Sequence, residues 1–134
     1  MSIIVKKIKP EFIDKRGIIT RILDQNKISI RSVLLITSKS KTVRGEHYHK
    51  KDSHYVYCLK GKLKYSARDM RKKVSHAESV ILNEGDLVLT PPMTWHSMEF
   101  LEDSVFFAFT TETRAHNKYE ADTVRSKGNQ KDEQ

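Results

Sequence analysis

Cys58 is the only cysteine in a chain of 134 residues. No intramolecular disulfide can therefore form, so the fold must rest on an apolar core, and a cytoplasmic location is the simplest expectation. Set in an apolar strand, Cys58 reads as a packed thiol rather than a nucleophile. No apolar run approaches the roughly 20 residues that a membrane-spanning helix needs. The start, Met1-Ser-Ile-Ile-Val-Lys-Lys, lacks the extended apolar stretch of a signal peptide. Convincing amphipathic helices are missing, and so are zinc-finger, helix-turn-helix and aromatic RNA-binding patterns. Neither a membrane nor a nucleic acid is expected as a partner.

What is present is positive charge and short strands. The formal net charge is +8, which suits an anionic or phosphorylated small molecule as well as a nucleic acid. The lysines and arginines are scattered, and the densest block, Arg68-Asp-Met-Arg-Lys-Lys73, falls where a surface loop is expected. β character is expected over residues 3–8, 18–23, 32–37, 42–49, 54–59, 63–68, 79–82, 87–90, 94–100 and 105–109, with turns at 12–17, 60–62 and 83–86. Residues 117–120 suit a turn or short helix. Many short strands without a helix between them predict an all-β single domain, a sandwich or barrel, over residues 1–125. Residues 126–134 are polar and read as a disordered tail.

The chemistry is concentrated in histidine. Of six histidines, three lie in Arg44-Gly-Glu-His-Tyr-His-Lys-Lys-Asp-Ser-His54. On a strand His47 and His49 leave the same face, their Cα atoms roughly 6.6 Å apart. Two such rings can converge on a metal ion or flank one small substrate. His96 follows in Pro91-Pro-Met-Thr-Trp-His96 and completes a candidate set of four with His54. His76 and His116 fall in polar loops and read as surface residues. Tyr65 shares the inward register of its strand, where it either lines a cavity or packs in the core.

These motifs resemble those of the cupin superfamily, a jelly roll or double-stranded β-helix. Its first motif runs from glycine through His-x-His and a glutamate to a second glycine; here the residues are Gly45, His47, His49, then His54 in place of the glutamate, and Gly61. The second motif is similar to Gly85-Asp-Leu-Val-Leu-Thr-Pro-Pro-Met-Thr-Trp-His96. Asp14-Lys-Arg-Gly17, Arg44-Gly-Glu-His-Tyr-His-Lys50 and Trp95-His-Ser-Met98 resemble the bacterial nucleotide-sugar cupins. These include the dTDP-4-oxo-6-deoxyglucose 3,4-ketoisomerases and the dTDP-4-dehydrorhamnose 3,5-epimerases. The resemblance implies that His47 and His49 act as acid and base, and that Arg44 holds the substrate's diphosphate or sugar through its guanidinium fork.

Such chemistry needs only proton transfer next to a carbonyl, which imidazoles perform near neutral pH. His54 opens an alternative, because a set of His47, His49, His54 and His96 suits one divalent transition metal such as Zn, Fe, Mn, Ni or Cu. The ketoisomerase reading requires no metal. Three functions thus stand as expectations: a nucleotide-sugar isomerase or epimerase of polysaccharide biosynthesis, a metal-dependent cupin of another reaction, and a non-catalytic sugar- or metal-binding cupin. The resemblance also implies a homodimer; Tyr65, on its inward register alone, is a further candidate for substrate contact.

Overall fold

The computed structural model describes residues 3–127. Alternation of apolar and polar residues builds strands that each bury one face, and two such sheets must close on one another to hide both faces. Two five-stranded antiparallel sheets result, in the orders β1-β9-β6-β11-β4 and β12-β5-β10-β7-β8. The first contains β1 (Val5–Lys7), β4 (Ser32–Ser38), β6 (His54–Lys60), β9 (Asp86–Thr90) and β11 (Ser104–Thr110). The second contains β5 (Val43–His49), β7 (Lys62–Asp69), β8 (Glu78–Asn83), β10 (Thr94–Phe100) and β12 (Thr123–Arg125). They face each other as the expected jelly roll. Among the described residues no helix is long and apolar enough to cross a membrane.

The core lies at one end of the sandwich. Val56 and Cys58 of β6 meet Leu63, Tyr65 and Ala67 of β7, Leu82, Val88, Met98, Phe100 and Phe106. Phe100 stacks on Phe106 across the two sheets at 5.6 Å between ring centres. Cys58 is fully enclosed and its thiol is pushed up to about 11 by burial, the packed group that its strand context predicted. Tyr65, a candidate for the cavity, is instead a core residue, 1% exposed, with its hydroxyl bonded to that of Thr90. Burial lifts its phenol to about 12. The strand places it inward as expected, but on the filled half of the interior.

Three local features differ from the sequence expectation. Residues 12–17 form a hairpin rather than a turn, β2 (Phe12–Asp14) against β3 (Gly17–Ile19). The Asp14 carboxylate accepts from the Arg16 backbone N–H at 2.9 Å and pairs with its guanidinium at 2.7 Å, which closes the loop. Strand character stops at Ile19, because Arg21 turns aside to pair with Glu11 and Asp24. Third, after α1 (His116–Asp122), the short helix expected around 117–120, comes an unexpected strand, β12, whose three residues have no apolar periodicity and owe their extension to pairing with β5. Ser126 continues this pairing, donating its backbone N–H to Glu46 O at 2.9 Å. The remainder of the expected tail, 128–134, lies outside the described residues.

Gly61 makes the turn between β6 and β7 possible. It has φ 99°, and a Cβ there would lie 2.3 Å from Ser104 Oγ and 2.6 Å from Asp103 O. Gly61→Ala is expected to lower stability by about 2 kcal/mol or more, combining left-handed strain with backbone overlap. Equilibrium denaturation measures it, and an Ala variant as stable as the parent would show that the turn yields freely.

Candidate active site

At the other end of the sandwich the sheets splay around a cavity of about 160 Å³. Its floor is made by β5 and β10, which run antiparallel with His47 directly opposite His96. A register shift follows between His96 and Ser97, where Gly45 (φ 88°) brings β5 against β10. A Cβ on Gly45 would stand 2.8 Å from His96 O, so the glycine permits the approach that sets the two histidines together. His54 enters from the facing sheet, at the start of β6. The four rings then cluster: His47 lies 4.7 Å from both His49 and His96, His54 is 4.9 Å from His96, and His49 is 5.8 Å from His54, centre to centre.

Each ring is held by its Nδ1 edge where a partner is present. His54 Nδ1 lies 2.8 Å from Asp52 Oδ2. Asp52 is itself buried, and its other oxygen accepts from the backbone N–H groups of Thr111 at 3.1 Å and Glu112 at 3.2 Å. Burial alone would raise the Asp52 carboxyl, but the His54 bond and charge and the Glu112 N–H outweigh it and hold it below the usual range. Asp52 is thus a carboxylate, and His54 Nδ1 carries the proton between them. His96 Nδ1 sits 3.1 Å from Thr94 O; a carbonyl only accepts, so this nitrogen is also the protonated one. His96, neutral through burial, therefore turns an unprotonated Nε2 edge away from its tether.

Three of the rings, His47, His49 and His96, are held neutral. Burial first, and then repulsion from His49 and His54, lowers His47 to about 3. Burial and His54 lower His49 to about 4, against opposing pulls from Asp52 and Asp122. His96, 2% exposed, is lowered well below the usual histidine range, mainly by burial. Neutral imidazoles are both proton acceptors and metal ligands. For a metal, the ligand atoms form two groups that share His49: His47, His49 and His96, and His49, Asp52 and His54, each group within 4.8 Å. The expected set of four thus divides, yet either triplet fits a transition metal in donor type and approach, with outer hydrogen bonds of the kind that orient metal-bound histidines.

Arg44 borders the cavity, with its guanidinium bonded to Ser38 Oγ and to Thr37 O at 3.1 Å. His76 and His116 are exposed surface residues, as expected. The sequence reading did not single out Asp52, Arg114, Tyr119, Asp122 or Thr123. Tyr119 of α1 packs 5.4 Å from His49 and lies under the Arg114 guanidinium at 3.7 Å. Asp122 clasps the connection from β5 to β6, accepting from Lys51 N at 2.8 Å and Asp52 N at 3.1 Å. Asp52 was legible in principle as a carboxylate two residues from a histidine; the others carry no local signal.

Known structures share this architecture. The QdtA 3,4-ketoisomerase from Thermoanaerobacterium thermosaccharolyticum, as a double mutant in complex with TDP, is 29% identical with a TM-score of 0.72, the match covering 92% of this chain and 87% of that one. A dTDP-4-dehydrorhamnose 3,5-epimerase from Sulfolobus tokodaii is 26% identical with a TM-score of 0.72, over 87% of this chain and 73% of that one. The WlaRB TDP-quinovose 3,4-ketoisomerase from Campylobacter jejuni, at 18% identity, TM-score 0.75 and 92% of both chains, shares the fold. No curated protein matches the chain. The model of the family described as WxcM-like, C-terminal (FdtA) matches residues 3–128, and the chain belongs to that family.

Proposed function

We propose that the chain is a nucleotide-sugar ketoisomerase or epimerase, acting on a dTDP-4-oxo-6-deoxyhexose-type substrate in polysaccharide biosynthesis. One observation carries this reading: neutral His47, His49 and His96 converge on one cavity beside Arg44, in a chain similar to a 3,4-ketoisomerase complexed with TDP. The cavity is small enough that the sugar ring is its natural occupant, with the anionic nucleotide half toward Arg44 and solvent.

His49 is assigned as the base that removes the C3 proton, and the C3–H electron pair becomes the C3=C4 bond of an enediol as the C4 oxygen takes up a proton. His47, 4.7 Å away, is assigned to relay the proton taken by His49 to C4, while the C3 hydroxyl gives its own to solvent, which had supplied the one on the C4 oxygen, and becomes the carbonyl. Epimerisation shares the first step and differs only in returning the proton to the same carbon from the other face. A cytoplasmic homodimer belongs to the same reading. Support for the dimer comes from the hairpin residues Ile13 and Ile18 and the edge-strand residues Val33 and Leu35, which are each more than 60% exposed.

A second reading is favoured by the two ligand triplets. His47, His49 and His96 would hold a divalent metal, whose Lewis acidity would polarise a carbonyl oxygen. Elemental analysis of untagged protein separates the readings. Stoichiometric metal that disappears in His96→Ala supports the metal centre, whereas folded, active protein without metal removes it.

In D2O the parent protein is expected to introduce deuterium at C3 of dTDP-4-oxo-6-deoxyglucose. His49→Ala should slow this exchange by about 10²- to 10⁴-fold, and His47→Ala should slow product formation more than exchange. Full exchange by a folded His49→Ala variant would refute the assignment of the base.

The depressed histidines also set a pH response. kcat/KM should stay level from about pH 8 to 5 and fall as pH approaches the value of about 4 held by free His49. Stability should fall over the same direction. Between about 6.5 and the folded values of about 3 and 4, the unfolded chain binds protons that native His47 and His49 do not, so stability is lost as pH drops through that window. The slope is roughly 1.4 kcal/mol per pH unit for each histidine, and denaturation midpoints between pH 4 and 7 test it.

A further inference from the structure

His49, the assigned base, does not stand alone at the end of β5. In the ladder between β5 and β12 its direct cross-strand partner is Thr123, and directly opposed residues share a face. The Thr123 hydroxyl reaches two groups, Tyr119 O at 2.6 Å and His49 Nδ1 at 3.1 Å. A hydroxyl has one proton to give. A carbonyl can only accept, so the contact with Tyr119 consumes that proton. The bond to His49 then forms only if Nδ1 is the donor, which leaves the Nε2 lone pair facing away from Thr123.

The geometry assigns Thr123 as a positioning residue that holds His49 as the Nδ1–H tautomer, with Nε2 presented to the cavity as the proton-accepting atom. This assignment deepens the proposed acid–base reading and rests on it for its catalytic consequence. Thr123 is fixed from both sides. Its backbone N–H caps α1 through Glu120 O, and the preceding residue, Asp122, grips the 50–52 connection. Met93 N donates to His49 O at 2.7 Å, so the imidazole has its backbone anchored as well as its Nδ1 edge. The same pattern recurs at His54 on Asp52 and at His96 on Thr94 O, so His49 completes a group of three rings tethered by Nδ1.

The test is ¹⁵N NMR of the full chain with labelled histidine, comparing the parent, Thr123→Val and Thr123→Ser, together with kcat and KM for dTDP-4-oxo-6-deoxyglucose. His49 in the parent should show a protonated-type Nδ1 and a bare, pyridine-type Nε2. Val keeps the shape but removes the acceptor. Its His49 signals should become a tautomer mixture, with kcat lower by on the order of 10- to 100-fold and KM within about twofold. That loss is smaller than the roughly 10⁴-fold that a wrong tautomer costs a Ser-His-Asp triad, because a released ring still samples the right form. Ser should restore both the spectrum and kcat. A parent His49 with protonated Nε2, or a Val variant with unchanged tautomer or unchanged kcat, overturns the assignment. Should the parent fail to turn over the sugar while the spectra behave as described, the isomerase reading falls and the tautomer assignment survives.

Discussion

The placement of β5 between β10 and β12 governs the rest of the site. Backbone ladder bonds fix side-chain register to a single residue, and a slip of one would turn His47 and His49 out of the cavity. On one side the ladder sets His47 opposite His96; on the other it sets His49 opposite Thr123 and His47 opposite Arg125. Gly45 lets the strand come close enough for this to happen, and Met93 N–H ties its far end. The chemical groups therefore inherit their positions from amides and carbonyls.

Gathering several imidazoles in one half-dry pocket has an electrostatic cost that protonation would multiply. The structure limits it by keeping His47, His49 and His96 neutral and by giving Nδ1 edges to acceptors: a carboxylate for His54 and a carbonyl for His96. Charge is kept to the margin, on Arg44, Arg114 and the buried Asp52. A cavity arranged in this way has its lone pairs unspent, which suits a proton in transit or a cation and does little for a purely structural core.

Much of this was legible in the chain. The alternation of residues 54–59 and 63–68 and the compact runs at 32–37 and 105–109 gave the all-β fold, because half-buried strands must show a period of two. The pairing of His47 with His49 followed from the same period, and His54 and His96 stood out through the motifs around them. The sequence could not reveal which inward residues meet core and which meet space. Tyr65 and His96 both point inward from neighbouring strands, yet one is packed beside Thr90 and the other faces the cavity. Nor could it reveal β12. Thr123, Val124 and Arg125 have no strand pattern of their own, and Tyr119 and Asp122 become site residues only through contacts more than 65 positions distant in the chain.

That distance has a temporal meaning. His49 and Thr123 are 74 residues apart, and a ribosome makes the segment of Arg114 to Ser126 after every other strand of the two sheets. The core cluster draws every residue from before that segment, so its packing does not depend on the partner that restrains the His49 ring. Non-local pairings of this kind are slow to close, and the one between β12 and β5 is needed for the His49 restraint but not for the core. Loss of β12 would therefore leave the aromatic core its own contacts while His49 lost the hydroxyl that restrains its ring.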